Sequence, residues 1–182
     1  MRLAYITRPT PGGMYTEAID SRYNDVMKKA FHKLIPDEVS ARREIVSAVI
    51  FLLVPLSMNT IASLLSMDSS QPRTHLAPFR SVIHVPTADT SLVTIFHASF
   101  PDFVVDPSRC KEPFRQSEGH RMLTVQCLQC LNRSLERNIW TLDRNMTVSS
   151  NTNPDALRYS FLHWAAHLAQ ALAASLAQNA AI

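Results

Sequence analysis

Residues 55–96 read PLSMNTIASLLSMDSSQPRTHLAPFRSVIHVPTADTSLVTIF, and the pattern changes twice along them. Ser57 is a residue type that caps helix starts, and Ile61, Leu64 and Leu65 follow at helical spacing, so a helix is expected to about Met67. Asp68-Ser69-Ser70 is a second capping cluster and opens a helix to about Phe79, with Leu76 and Phe79 turned inward. Pro72 falls in its first turn, where a missing backbone N–H is tolerated. Helical spacing then gives way to β-branched runs, Ser81–Pro86 and Ser91–Phe96, around the polar turn Thr87–Thr90. That pattern predicts a β-hairpin.

Upstream, Arg42, Arg43 and Glu44 are the last charges before Ile45–Val54, which is apolar on every side and therefore expected at the centre of the core. Pro55 should end that helix, which begins near Asp37. Three helices and a hairpin in this order give a mainly α fold class, with a winged helix over 37–105 and a second helical domain over 106–182. Residues 1–20, with Pro9, Pro11 and Gly12-Gly13, read as an irregular lead-in. Tyr23, Val26, Met27, Ala30, Phe31 and Leu34 mark an amphipathic helix within 21–36. In the second domain, Asp106–Gly119 reads as a linker or long loop. A helix from His120 to Asn138 is expected to bury Met122, Val125, Leu128, Leu131 and Leu135. After a polar loop, Asp143–Asn153, Asn153 should cap a helix from Pro154 to about Gln178. That helix is expected to bury Leu157, Phe161, Trp164 or Ala165, Leu168, Leu172 and Leu176.

Composition narrows the function classes. The chain has 182 residues, enough for one domain and a fraction, and 46% are hydrophobic, enough for a core. Only Gly12, Gly13 and Gly119 are glycines, where average usage predicts about thirteen. No G-x-x-x-x-G-K-S/T phosphate loop and no G-x-G-x-x-G fingerprint is present, and neither are H-E-x-x-H and G-x-S-x-G. The expectation is a protein that is not an enzyme. A net charge of +3 demands neither nucleic acid nor an anionic membrane as partner. Three cysteines without a secretory leader predict reduced thiols and a cytoplasmic setting. Ile45–Met67 carries no charge, but Pro55 and six polar residues dilute it, which argues against a membrane span.

Four constellations invite chemistry. Arg73, His75 and Arg80 lie on the outer face of the second helix of the helix-turn-helix and would be its DNA-reading residues. The hairpin that would form the wing has no lysine or arginine, so DNA binding is the alternative and not the first reading. Cys127 and Cys130 form C-x-x-C, with Cys110 and His120 upstream, but they sit in a helical period and read as buried thiols with no metal. His163 and His167 share a helix face and read as packed or capping residues. His97 stands where a strand hands over to a helix, beside Phe96, Phe100 and Phe103; an imidazole near free helix N–H groups suits an anion.

Three stretches resemble a known family: PLSMNTIASLLSMDSSQPRTHLAPFRSVIHV (55–85), LVTIFHASFPDFVVDPSRC (92–110) and HRMLTVQCLQCLNRSLERNI (120–139). They are similar to the segment after the NTPase core of fungal NACHT-domain proteins, signalling NTPases of the STAND class often followed by WD repeats. LRYSFLHWAAHL (157–168) resembles a later helix of that segment, and Tyr23–Ile35 the last helix before the winged helix. The resemblance implies that a winged helix closes over nucleotide bound to the NTPase domain. A histidine in an H-x-S-F-like element then contacts the β-phosphate of ADP and holds the protein inactive. His97 is the residue that matches. The Walker A and B elements of the family lie upstream of the resembling segment and its WD repeats downstream, and the chain carries neither. Pro72 departs from the small aliphatic residue of the family. The implied role is a non-catalytic regulatory fragment that packs against a NACHT NTPase domain, in cis as in the family or in trans. It would bind no cofactor alone and meet ADP or ATP only together with that domain. An exposed apolar docking surface is expected.

Overall fold

The computed structural model describes residues 13–139 and 153–179, so the first part of the expected lead-in and nearly all of the expected 143–153 loop lie outside the described residues. The chain is mainly helical: α1 (Gly13–Ala30), α2 (Pro36–Phe51), α3 (Met58–Leu64), α4 (Gln71–Leu76, continued by a 3-10 turn Ala77–Phe79), β1 (Ile83–His84), β2 (Thr94–Ile95), α5 (Ser99–Val105), α6 (Gln116–Ile139) and α7 (Pro154–Asn179).

α1 corrects two expected boundaries. The helix starts at Gly13, inside the expected lead-in, and ends at Ala30, four residues before Leu34. Its early turns are anchored from far away in sequence: Arg109 holds the Asp20 carboxylate through two bonds of 2.9 and 2.7 Å. Composition alone does not reveal such a partner. The end is set by Arg42, whose guanidinium donates to the Ala30 carbonyl and so places a cation at the negative helix pole. Lys33 then turns the chain with φ 57°.

α2 opens at Pro36, with Asp37 and Glu38 in the first turn and the Ile35 N–H donating to Glu38 at 3.2 Å. Ile45, Val46, Ala48, Val49 and Phe51 are buried, as the apolar run predicts. The helix nevertheless stops at Phe51, three residues short of the expected Val54, and Val54 is exposed. The Leu53 N–H donates instead to Tyr159 Oη of α7 at 3.2 Å. Ser57 caps α3 as read, accepting the Thr60 N–H at 3.3 Å, and Ile61, Leu64 and Leu65 are buried. α3 ends at Leu64, short of the expected Met67, and the turn that follows passes through Ser66, which also holds a left-handed φ of 57°. Leu76 and Phe79 point inward as expected.

The hairpin is antiparallel, with Ile83 opposite Ile95 and His84 opposite Thr94, but each expected six-residue run pairs over only two residues. The remainder finds other partners. Leu92 bridges Ser57, and the Val93 N–H donates to the Leu56 carbonyl at 2.9 Å. The Asn59 N–H takes the Asp89 carbonyl at 3.1 Å, which folds the turn back over the start of α3. Side chains from all seven α-helices meet in one buried cluster that includes Met27, Ile45, Leu64, Leu76, Phe100, Leu123 and Tyr159. Of the two readings for 106–119, the long loop holds over 106–115, packed on this cluster through buried Cys110 and Phe114, whereas residues 116–119 already form the first turn of α6.

α6 and α7 form the most extensive helix pair and run antiparallel, since His120 meets His167 and Cys127 meets Ser160. Here the expected faces hold only in part: Met122, Leu131, Leu157 and Trp164 are half-buried, and the side chain of Leu135 lies outside the described residues. α6 buries His120, Leu123, Thr124, Cys127, Cys130 and Ser134, while Val125 and Leu128 are exposed. α7 buries Ala156, Tyr159, Ser160, His167 and Ala171, while Phe161, Leu168, Leu172 and Leu176 face outward. Small and polar residues let the two helices close together, and their polar atoms are satisfied across the seam and along each helix, as where Ser160 Oγ donates to the Ala156 carbonyl at 2.8 Å. Asn153 caps α7 as read, accepting the Asp155 and Ala156 N–H groups at 3.0 and 3.2 Å.

Gly119 sits where α6 crosses α2. A Cβ there would stand 2.1 Å from Cδ2 of the buried Phe51 ring and 3.0 Å from Ser47 Oγ. Gly119→Ala should therefore destabilise the fold by about 1–3 kcal/mol through overpacking. Chemical denaturation of the two proteins checks this, and an unchanged midpoint would mean that the Phe51 ring yields.

Candidate functional site

His97 lies exposed between β2 and α5, and its ring is fixed. Nδ1 accepts the Ser99 N–H at 3.1 Å and lies 2.6 Å from Ser99 Oγ, which in turn bonds Tyr23 Oη of α1 at 2.7 Å. Because Nδ1 accepts, the neutral ring carries its hydrogen on Nε2. The residue is thus a mounted donor whose support reaches back to α1, and Tyr23 packs edge-on against Phe100 with centroids 5.3 Å apart. The sequence reading offered the first free amide of the helix to an anion. The structure gives that amide to His97 itself, so a ligand would meet Nε2–H. Phe96, beside it, is 60% exposed and stacks at a tilt on His84 at 5.9 Å. Sequence reasoning missed Tyr23 and Ser99 as the mount; the S of the H-x-S-F element was the available signal.

The three residues of the DNA alternative fare differently from one another. The Arg73 guanidinium is engaged within the chain, donating to the Pro86 carbonyl, to the Thr87 carbonyl at 2.9 Å and to the Asp89 carboxylate. His75 is half-buried, and its pKa is held below the usual imidazole value by burial and then by the nearby Arg42 charge, with Glu38 opposing. Arg80 is exposed. The three are not brought together as a free cationic surface.

The thiols of Cys110, Cys127 and Cys130 are all buried and unpaired by disulfides. Burial pushes the Cys127 thiol up to about 11, against the Ser160 hydrogen bond and with Cys130 adding to the rise. Among the described residues no three His, Cys, Asp or Glu side chains converge as a metal would require.

A buried polar chain runs through the α6–α7 seam, and the sequence reading saw its members only singly. Tyr159 Oη accepts the Leu53 N–H and lies 2.7 Å from His167 Nε2, while His167 Nδ1 lies 2.8 Å from His120 Nδ1. Where Tyr159 donates its one hydrogen to Nε2, the neutral His167 carries its own on Nδ1 and faces an accepting Nδ1 of His120. Protonating His167 would break this order. Burial, followed by the neighbouring His120 and His163 rings, pushes its pKa down to about 4, and burial also raises that of Tyr159.

The outer side of α7 carries no polar chain of this kind. Phe161, Leu162, Leu168, Leu172 and Leu176 are exposed, and so are Ala165, Ala169 and Ala173. At its N-terminal end this face meets a groove of about 420 Å³ where Leu162 stands across from Val54 and Leu92.

Comparison with known proteins finds no matching family model, no similar curated protein and no similar solved structure. The likeness to NACHT-domain proteins accordingly rests on the residues quoted for it. Among the described residues no helix is long and apolar enough to cross a membrane.

The depressed His167 value sets a pH dependence. Above the unfolded value of about 6.5 both states are neutral and stability is full; as pH falls toward 4 the unfolded chain takes up a proton that the folded one refuses. The midpoint of thermal unfolding should therefore fall as pH is lowered from about 6.5 to 4, with a shallower slope in His167→Leu than in the wild type. Equal slopes in the two proteins would remove His167 as the cause.

Proposed function

We propose that the chain is a non-catalytic regulatory segment that packs against an NTPase domain and senses its ADP state through His97. The observation that carries this reading is the fixed imidazole: Ser99 and Tyr23 occupy Nδ1 and its surroundings, and Nε2–H is left to face outward. A donor already oriented loses little freedom when it meets an oxyanion. The order of α2, α3, α4 and the β1–β2 hairpin, with Leu92 bridged to Ser57, is consistent with a winged helix and supports the same reading.

One imidazole N–H supplies a single hydrogen bond and little affinity. Without a phosphate loop in the chain, nucleotide would be held by the NTPase domain, and His97 would report on it. A contact made to ADP and lost on exchange for ATP couples the position of this segment to nucleotide state, and a few kcal/mol of differential contact is enough to bias a two-state switch. DNA binding draws less support, since the wing holds Arg73.

Pull-down of the purified chain by a separately expressed NACHT-type NTPase domain tests the proposal, with ADP, with an ATP analogue and without nucleotide. Retention should be strongest with ADP. His97→Ala should lower it by roughly tenfold, the worth of one hydrogen bond to a charged acceptor, and Ser99→Ala by less. Retention indifferent to nucleotide would overturn the sensor role. Salt-sensitive binding to duplex DNA, reduced by Arg80→Ala, would favour the alternative.

A further inference from the structure

We propose that the chain self-associates through the outer face of α7, a second copy being the occupant of that face. From Tyr159 to Asn179 the sequence has no Asp, Glu, Lys or Arg. The polar residues His163, His167 and Gln170 lie off the leucine side of the helix, and only the other side of α7 packs on α6 and α3. The leucine side exposes Phe161 at 71%, Leu172 at 58% and Leu176 at 70%. With Leu162, Leu168 and three alanines, this face exposes on the order of 600 Å² per copy. A standard interface takes roughly 800 Å² per partner, so this patch supplies most of one side, and Val54 and Leu92 adjoin it. It is also as large as the largest patch that a typical monomer leaves uncovered, roughly 300–600 Å².

The arrangement of the side chains favours a copy of itself over another occupant. Leu168, Leu172 and Leu176 stand at i, i+4 and i+8 and form a ridge; Ala165, Ala169 and Ala173 form a parallel row beside it, all exposed. A ridge of leucines next to a row of alanines is complementary to itself. A twofold axis between the two rows lays the leucine ridge of each copy over the alanine row of the other. Ridges at i±4 packed this way cross at about 50°. Such an interface is isologous and closes at two copies. From Phe161 to Leu176 the face carries no charge, so a copy centred there brings no ion to be desolvated, while Asp155 and Arg158 stand exposed at its N-terminal edge. His97 and its mount lie on α1, β2 and α5, so this inference does not rest on the nucleotide reading.

The test is sedimentation of the full chain alone, without NTPase domain, across the micromolar range. The wild type should be a dimer. Leu172→Glu buries a carboxylate in the interface and should weaken dimerisation by at least about tenfold. Ala169→Leu is the sharper variant. It fills the row that receives the ridge and should also weaken the dimer by about tenfold, although it makes the surface more apolar. Both positions are exposed in the monomer, so far-UV circular dichroism should be unchanged, and Leu168→Glu serves if either variant fails to fold. A wild type that stays monomeric, including one that associates only when NTPase domain is added, overturns the proposal. So does association that Ala169→Leu strengthens or leaves unaltered, which is the mark of unspecific apolar contact.

Discussion

The fold depends on how closely α6 and α7 approach each other. Where bulky side chains would hold two helices apart, this pair buries Cys127, Cys130 and Ser134 on α6 and Ala156, Ser160 and Ala171 on α7. Close approach brings backbone and polar atoms into a dry seam, and every such atom needs a partner. The Tyr159–His167–His120 chain answers that demand and extends it, since Tyr159 also takes the Leu53 N–H just after α2. One hydroxyl thus takes the amide just past the end of α2, meets the buried histidine pair and ties α7 to the segment between α2 and α3. The segment from Leu52 to Ser57 is irregular because the Leu53 amide serves this contact and its last residues serve the small sheet.

The sequence was most legible where the signal is local. Ser57 and Asn153 cap the helices they were read to cap, because an N-cap bond spans only two or three residues. The inward positions of Ile61, Leu64, Leu76 and Phe79 follow from spacing. The faces of α6 and α7 were misread because bulk was taken as the mark of burial, and Leu128 and Leu172 are bulky and exposed. The real buried set on α6, His120–Leu123–Cys127–Cys130–Ser134, repeats at three and four as regularly, but polar and thiol side chains give it no weight in a hydrophobic pattern. The start of α1 and the length of the hairpin depend on Arg109 and Arg73 finding Asp20 and Asp89, and contacts 89 and 16 residues away leave no local trace. At the candidate site the histidine was legible as a strand–helix junction residue, whereas its mount was not, since Tyr23 stands 76 residues from Ser99.

That mount makes the site a property of two elements. Tyr23 is on α1 and His97 precedes α5, so a shift of α1 relative to α5 would loosen the imidazole without touching it. Aromatic contacts from Tyr23 to Phe100 and Phe103, each with centroids at 5.3 Å, hold the two helices in register. Orientation of the outward N–H is therefore coupled to packing in the core beneath.

Ser66 shows what the scarcity of glycine costs and why it persists. The chain turns there through a left-handed conformation that glycine adopts freely and other residues adopt at about 1–2 kcal/mol. Glycine would relieve that strain but would have nothing to offer Arg133, whose guanidinium donates to Ser66 Oγ and joins the end of α3 to α6. Asparagine tolerates the same backbone and carries an oxygen. The residues that evolution can accept at position 66 are thus ordered by two requirements at once. Substitution at position 66 therefore trades relief of the backbone against the link from α3 to α6, and a short side chain with an oxygen is what serves both.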